Sequence, residues 1–210
     1  MDIIESLEWR YATKKFDNNA FIEDEKIERI SKAFNLTATS YGLQPIKMII
    51  VKNKSIQKKM KAASFHQEQV ATASHVLVLC AEKNVDADFI KAFSNNSKQL
   101  RPEAHSEIDA YGDVLIDRFK LKSKADIKLW ATKQVYLALG NLLTVCAIEK
   151  IDSCPMEGFI PAEIDVILGL EQEQLSAVLL LPIGYRAKND VSAKINKVRR
   201  PLNDIVKIIP

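Results

Sequence analysis

Two short basic runs are the residues in this chain best suited to hold an anion. One is Arg10-Tyr11-Ala12-Thr13-Lys14-Lys15-Phe16, and the other is Lys197-Val198-Arg199-Arg200-Pro201. Arginine offers a planar fork of donors that matches phosphate, and lysine offers a compact point charge. Taken alone, each run has the composition of an ordinary solvated surface; convergence in space would make them a phosphate site. A third segment, Pro155-Met156-Glu157-Gly158, carries a glycine that either closes a turn or lets the backbone approach a flat ligand. The common catalytic patterns G-x-S-x-G, H-E-x-x-H, Walker A and G-x-G-x-x-G are absent, and the six glycines are scattered. His66, His75 and His105 stand apart and read as structural or solvated residues rather than metal ligands.

The elements that must position these residues follow from the apolar pattern. Asp2 with Glu5 forms a capping pair for a first helix that should stop near Arg10. Asn18-Asn19 marks a turn, and Asp24 to about Phe34 reads as a second helix. Three apolar runs, 46–51, 75–81 and 176–184, are strand-sized. Residues 55–64 and 67–74 are helical, and 84–122 forms two surface helices around Pro102. The longest helix is predicted at 125–150, apolar on most sides and therefore central. Apolar strands separated by helical crossovers predict a covered sheet of largely parallel or mixed pairing. A strand-like piece at 205–209 has no hairpin partner in the pattern.

Composition narrows the function. With 210 residues and 47% hydrophobic content the chain suits one domain with its own core. A net charge of +3 gives no case for a nucleic-acid or membrane partner. The N-terminus lacks the basic and apolar regions of a signal peptide, and no uninterrupted apolar run approaches the roughly 18 residues of a membrane span. The cysteines, Cys80, Cys146 and Cys154, are odd in number and have no metal-binding spacing. These features together point to a cytoplasmic protein.

In order and spacing the segments resemble the nitroreductase family, in its oxygen-insensitive nitroreductase and flavin reductase branch. The resemblance runs from the opening "MDII…R..TK.FD" at 1–17, through "S…QP" at 40–45 and "ASHV" at 73–76. It continues with "KQVYL" at 133–137, "GN.L" at 140–143, "P.EGF" at 155–159 and "K.R.P" at 197–201. It implies an α+β nitroreductase-like fold, a central mixed β-sheet flanked by helices. It also implies an intertwined homodimer with C-terminal strand exchange: one domain over 1–210, with an arm at about 186–210 packing on the partner subunit. FMN is the implied cofactor and NADH or NADPH the hydride donor, with no metal.

By the same resemblance, Arg10, Lys197 and Arg199 would hold the FMN phosphate, within a cofactor segment that includes Tyr11 and Ala12. Lys14 would lie at the N1/O2 edge of the ring and tune the flavin. Thr39 would lie near the ring and Tyr41 in the substrate pocket. Pro155 and Met156 would lie against one flavin face, and the N–H groups of Glu157 and Gly158 would bond N5 and O4. The sequence departs from the family where Ala12 replaces a common serine. It departs again where the polar pair at the pyrimidine edge falls at His66 and Gln69, with Gln67 the alternative. The implied reaction is a ping-pong hydride transfer to a nitroaromatic, quinone or similar small acceptor, with no side-chain acid or base. Alternatives are reduction of a dihydropteridine, an enone or free flavin, or flavin binding with little turnover.

Overall fold

The computed structural model describes residues 2–210. The chain begins with α1 (Ile3–Trp9) and α2 (Asp24–Asn35), then β1 (Ile46–Val51), α3 (Lys54–Ala62), α4 (Glu68–Thr72) and β2 (His75–Glu82). A helical hairpin, α5 (Ala87–Leu100) and α6 (His105–Lys120), precedes the long α7 (Lys124–Ile148). The chain continues with β3 (Asp152–Ser153), α8 (Pro161–Leu168), β4 (Leu175–Gly184) and the short α9 (Leu202–Ile205).

Local signals set these boundaries. Asp2 and Glu5 form a reciprocal capping box at α1, as the sequence predicts. Asn53, Asp86 and Ser123 cap α3, α5 and α7 with their side chains. Pro161 opens α8, and Gly169, at φ 68°, closes it in the left-handed region.

The four strands form one sheet in the order β1-β2-β4-β3. Ile49 faces Val78, Leu77 faces Leu181, and Asp152 faces Gly184. All three ladders are antiparallel, which corrects the largely parallel or mixed pairing read from the apolar runs. Among the described residues the one parallel element is an isolated bridge between Ala12 and Ser153. Continuous apolarity reports that both faces of a strand are covered, and it is silent on strand direction. On one face, Val76, Val78, Cys80 and Leu180 pack in a core with Met60, Val70 and Ile164 of α3, α4 and α8. On the other, Leu77, Leu79, Leu179 and Leu181 pack in a core with Ile30 of α2 and Val135, Leu139 and Leu142 of α7. A smaller cluster around Leu43, Ile90, Leu115 and Phe119 lies under the α5–α6 hairpin.

By length and apolar content α7 could cross a membrane, and it is the one such helix among the described residues. Lys133 and Gln134 interrupt its apolar run, so that run fell short of a span in the sequence. Here it packs on β2, α1 and α2 as the core helix of a folded domain. Its outer side keeps Leu129, Tyr136, Leu137 and Ile148 exposed. In the single chain the tail at 202–205 is helical, and 206–210 carry no regular secondary structure and no ladder to the sheet. Val206, Ile208 and Ile209 are exposed.

Candidate functional site

Arg10 stands where α1 ends and the backbone turns extended. Its Nε is buried and has no hydrogen-bond partner. Burial lowers its pKa, and the charge of Arg199 lowers it further. Lys197 is lowered in the same way, by burial and then by Arg10, Arg199 and Arg186. The charge of Arg199 acts on both, and the Lys197 side chain reaches back to the end of α1, so the two basic runs do converge. The ammonium of Lys197 donates to the Glu8 carbonyl, and a cleft of about 330 Å³ lies between Trp9, Tyr11, Ile195 and Lys197.

The neighbouring cation is handled differently. Arg186 is neutralised by Asp152, with Nη2 2.6 Å from Oδ1 and the Arg186 backbone N–H donating to Oδ2 at 2.8 Å. Its guanidinium also stacks over Trp9 at 4.4 Å and Tyr11 at 4.5 Å. Among the described residues no carboxylate pairs with Arg10, Lys197 or Arg199. Arg10 is half-buried while Lys197 and Arg199 are exposed, so an anion reaching this surface would meet three cations at once. The orphaned Arg10 Nε therefore fits a phosphate group.

The first and third chemical segments also meet. Lys14 Nζ lies 3.6 Å from the Sγ of buried Cys154, the residue before Pro155. Burial raises the pKa of that thiol, and Lys14 and Arg10 oppose the rise. Ala12 bridges Ser153, and the Thr13 N–H donates to the Ser153 carbonyl at 3.3 Å. The 10–14 segment is thereby fixed beside the strand that leads into 155–158.

Within that loop Met156 exchanges backbone bonds with Leu180, at 2.9 and 3.1 Å, while Pro155 is half-buried. The next two peptide N–H groups, of Glu157 and Gly158, have no protein acceptor among the described residues. The loop is held on both sides of them. The Tyr136 hydroxyl donates to Glu157 Oε1 at 2.6 Å, and Gln67 Nε2 donates to the Gly158 carbonyl at 2.7 Å. Gln69 Nε2 in turn donates to Gln67 Oε1 at 3.0 Å. Of the three candidates His66, Gln67 and Gln69, Gln67 abuts the loop and buried Gln69 supports it. His66 is exposed in a separate cleft with Phe21 and Lys54.

Thr39 and Tyr41 are not brought to this site within one chain. The Thr39 hydroxyl accepts from the Gln44 N–H at 3.1 Å. Tyr41 packs on Phe119 and Trp130, with ring centroids 5.9 and 6.0 Å away, and its hydroxyl accepts from Arg118 at 3.3 Å. Tyr41 therefore sits under the α5–α6 hairpin. Sequence reasoning missed Asp152, Arg186, Asp190 and Tyr136. Lone acidic residues on a chain that is 27% charged carry no spacing signal, and their partners are distant in sequence.

Comparisons with known proteins bear on the fold and the family. The family model described as Nitroreductase family matches residues 7–185. A Staphylococcus epidermidis protein, provisionally named an NAD(P)H nitroreductase, is 34% identical over 215 residues, spanning 99% of this chain and 96% of that protein. A Bacillus subtilis nitroreductase-type structure superposes with TM-score 0.87 at 20% identity, covering 98% of both chains. One from Exiguobacterium sibiricum, solved in complex with FMN, gives TM-score 0.84 at 22% identity, covering 100% of this chain and 98% of that one. The two structures establish likeness of fold, and the family match over most of the sequence establishes kinship: this chain belongs to the nitroreductase family.

Proposed function

We propose that the chain is an FMN-dependent NAD(P)H oxidoreductase that reduces nitroaromatic, quinone or similar small acceptors. The observation that carries the reading is the uncompensated cluster of Arg10, Lys197 and Arg199, next to Lys14 and the two free N–H groups of the 157–158 loop. Bound FMN would supply the hydride relay between nicotinamide nucleotide and acceptor, each using the same face in turn. Arg10, Lys197 and Arg199 would hold its phosphate. Lys14 would place a positive charge where the reduced ring becomes anionic, and so favour reduction. The Glu157 and Gly158 N–H groups would orient the ring edge, and Pro155 and Met156 would support one face. No side chain here is arranged as a catalytic acid or base, which suits a reaction whose protons come from solvent.

The working unit in this reading is a homodimer. Support comes from the exposed apolar side of α7, from the tail at 202–209, and from Thr39 and Tyr41, which lie away from the cation cluster of their own chain. A partner subunit would bring its Thr39 and Tyr41 to the flavin and receive the arm. A cytoplasmic setting accords with three free, buried thiols and a nicotinamide substrate.

The test is an absorbance spectrum of the purified protein, chromatography of the heat-released flavin, and anaerobic titration with NADH and NADPH. FMN released intact and bleaching by a nicotinamide nucleotide are expected. Recovery of FAD, or a protein that stays colourless after FMN addition, would overturn the proposal.

A further inference from the structure

Asp190 lies at the root of the C-terminal arm and is 4% exposed. Its Oδ2 accepts three hydrogen bonds from the distant basic segment: from the Tyr11 hydroxyl at 3.0 Å, the Lys14 N–H at 3.0 Å and the Lys15 N–H at 3.3 Å. Its Oδ1 accepts from the Ser192 N–H at 3.0 Å and caps the 3-10 turn Val191–Lys194, which starts the path to Lys197. One buried carboxylate therefore touches both halves of the cation cluster: the segment that carries Arg10 and Lys14, and the arm that carries Lys197 and Arg199.

The physical need for such a tie follows from the cluster. Arg10, Lys197 and Arg199 repel one another, and that repulsion drives the arm away from α1. Upstream of Asp190 the chain is secured by backbone bonds, Asp17 N–H to Tyr185 O at 2.8 Å and Ala187 N–H to Lys15 O at 2.9 Å. Downstream, one hydrogen bond among the described residues returns to α1, from the Lys197 ammonium to the Glu8 carbonyl. Asp190 is the last firm anchor before the phosphate-binding residues of the arm.

Resting on the FMN reading above, we propose that Asp190 is a positioning residue that couples docking of the C-terminal arm to assembly of the phosphate site. Its ionised carboxylate sets Lys14 and holds the arm so that Lys197 and Arg199 meet Arg10. An amide cannot replace it. If the Asn oxygen faces the three donors on the 11–15 segment, its NH₂ faces the Ser192 N–H; if it flips, its NH₂ faces the three donors.

The test compares wild type with Asp190→Asn and Tyr11→Phe, using FMN and riboflavin as probes, and trypsin cleavage of the flavin-free protein at 194–200. Wild type is expected to prefer FMN over riboflavin through the phosphate. Asp190→Asn should lower that preference about tenfold or more and speed cleavage in the arm, since charge-assisted bonds are lost. Tyr11→Phe, which removes one bond to the same oxygen, should move both readouts the same way by about threefold. It keeps the question open to refutation if Asp190→Asn does not fold. Equal losses of FMN and riboflavin affinity, or arm cleavage at the wild-type rate, would overturn the coupling. A wild-type protein that binds no flavin would instead remove the functional reading, and the cleavage rates would still decide the arm's anchorage.

Discussion

The hydroxyl of Tyr136, on the central helix, donates to Glu157 Oε1 at 2.6 Å and so anchors the loop whose Glu157 and Gly158 N–H groups have no protein acceptor among the described residues. The bond raises the pKa of Tyr136, with Glu157 as the largest cause, so the phenol stays protonated and remains the donor. On the other side Gln67 holds the Gly158 carbonyl. Two free donors between two anchors are preorganised donors, which is what orientation of a ring edge requires.

Tyr136→Phe should therefore loosen the loop without touching the cation cluster. Loss of one hydrogen bond, worth about 1 kcal/mol, should lower kcat/KM for the nicotinamide nucleotide about fivefold. FMN affinity should stay within about threefold of wild type, because the proposed phosphate site is unchanged. Stopped-flow reduction at saturating FMN, with fluorescence titration of FMN, separates the two. A variant with unchanged reduction and weakened FMN binding would refute the assignment of Tyr136.

Gly184→Ala tests the junction that positions the 10–17 segment. A Cβ there would lie 2.9 Å from Phe16 Cδ1 and 3.1 Å from the backbone nitrogen of Ser74. Phe16 is 1% exposed and cannot move without disturbing the core, and the Ser74 backbone cannot retreat cheaply. Overpacking of this kind costs about 1–3 kcal/mol, to be read as a lower urea midpoint at unchanged slope.

Gly140 gives a test of the dimer. It lies inside α7, and an added Cβ meets nothing within 4 Å in its own chain. In a monomer, Gly140→Ala should stabilise the exposed helix by about 1 kcal/mol. If this face packs on a partner, the same change should destabilise the protein. Leu137→Glu, at a position 54% exposed in the single chain, should then dissociate the dimer and release flavin. Light scattering and the concentration dependence of Tm distinguish the cases.

The sequence was most legible where a local signal was enough. The capping pair Asp2/Glu5 defined α1, and the apolar run 46–51 matches β1 end to end. The convergence of the two basic runs could be anticipated only through family resemblance, because nothing in either run points to the other. What stayed hidden depends on distant partners. Strand direction was unreadable because Val76–Ala81 is buried on both faces in either arrangement. Asp152 and Asp190 were invisible because their meaning lies in Arg186, Tyr11 and Lys14. The α8 helix was missed because Pro161–Leu168 is only 8 residues long and has a mixed pattern. The apolar residues of the tail predict a strand, and in the single chain no strand edge pairs with it.

Lys197 predicts a pH dependence. Burial, then Arg10, Arg199 and Arg186, lower its pKa below the ordinary 10.5. An anion binds its protonated form, so FMN affinity should be full below that lowered pKa and should fall as pH rises through it. The apo protein should show the opposite trend. In the interval between the lowered folded pKa and the unfolded value, the unfolded chain holds more protons, so stability rises with pH. FMN titrations from neutral pH to about pH 10.5, with apo melting curves alongside, check both signs. In Lys197→Met both slopes should flatten.

Arg199 and Lys14 separate two kinds of positive charge. Arg199 lowers the pKa of Arg10, so in the empty protein it is a source of repulsion. Arg199→Ala should leave apo stability unchanged or slightly raised, while FMN affinity falls about tenfold to a hundredfold, the cost of a charge-assisted hydrogen bond of about 1.5–3 kcal/mol. Turnover at saturating FMN should change little, since phosphate is remote from the reacting ring. Lys14 is placed elsewhere, its ammonium 3.6 Å from Cys154 Sγ at the entrance to the 155–158 loop. If that position faces the ring edge, Lys14→Ala should lower the flavin midpoint potential and slow reduction by NAD(P)H even in fully loaded protein. The reason is electrostatic: the ring gains negative charge on reduction, and only a nearby cation feels that gain strongly. Affinity, midpoint potential and stopped-flow reduction should be measured for both variants. Equal potentials in wild type and Lys14→Ala, with affinity alone reduced, would move Lys14 from the ring edge to the phosphate end.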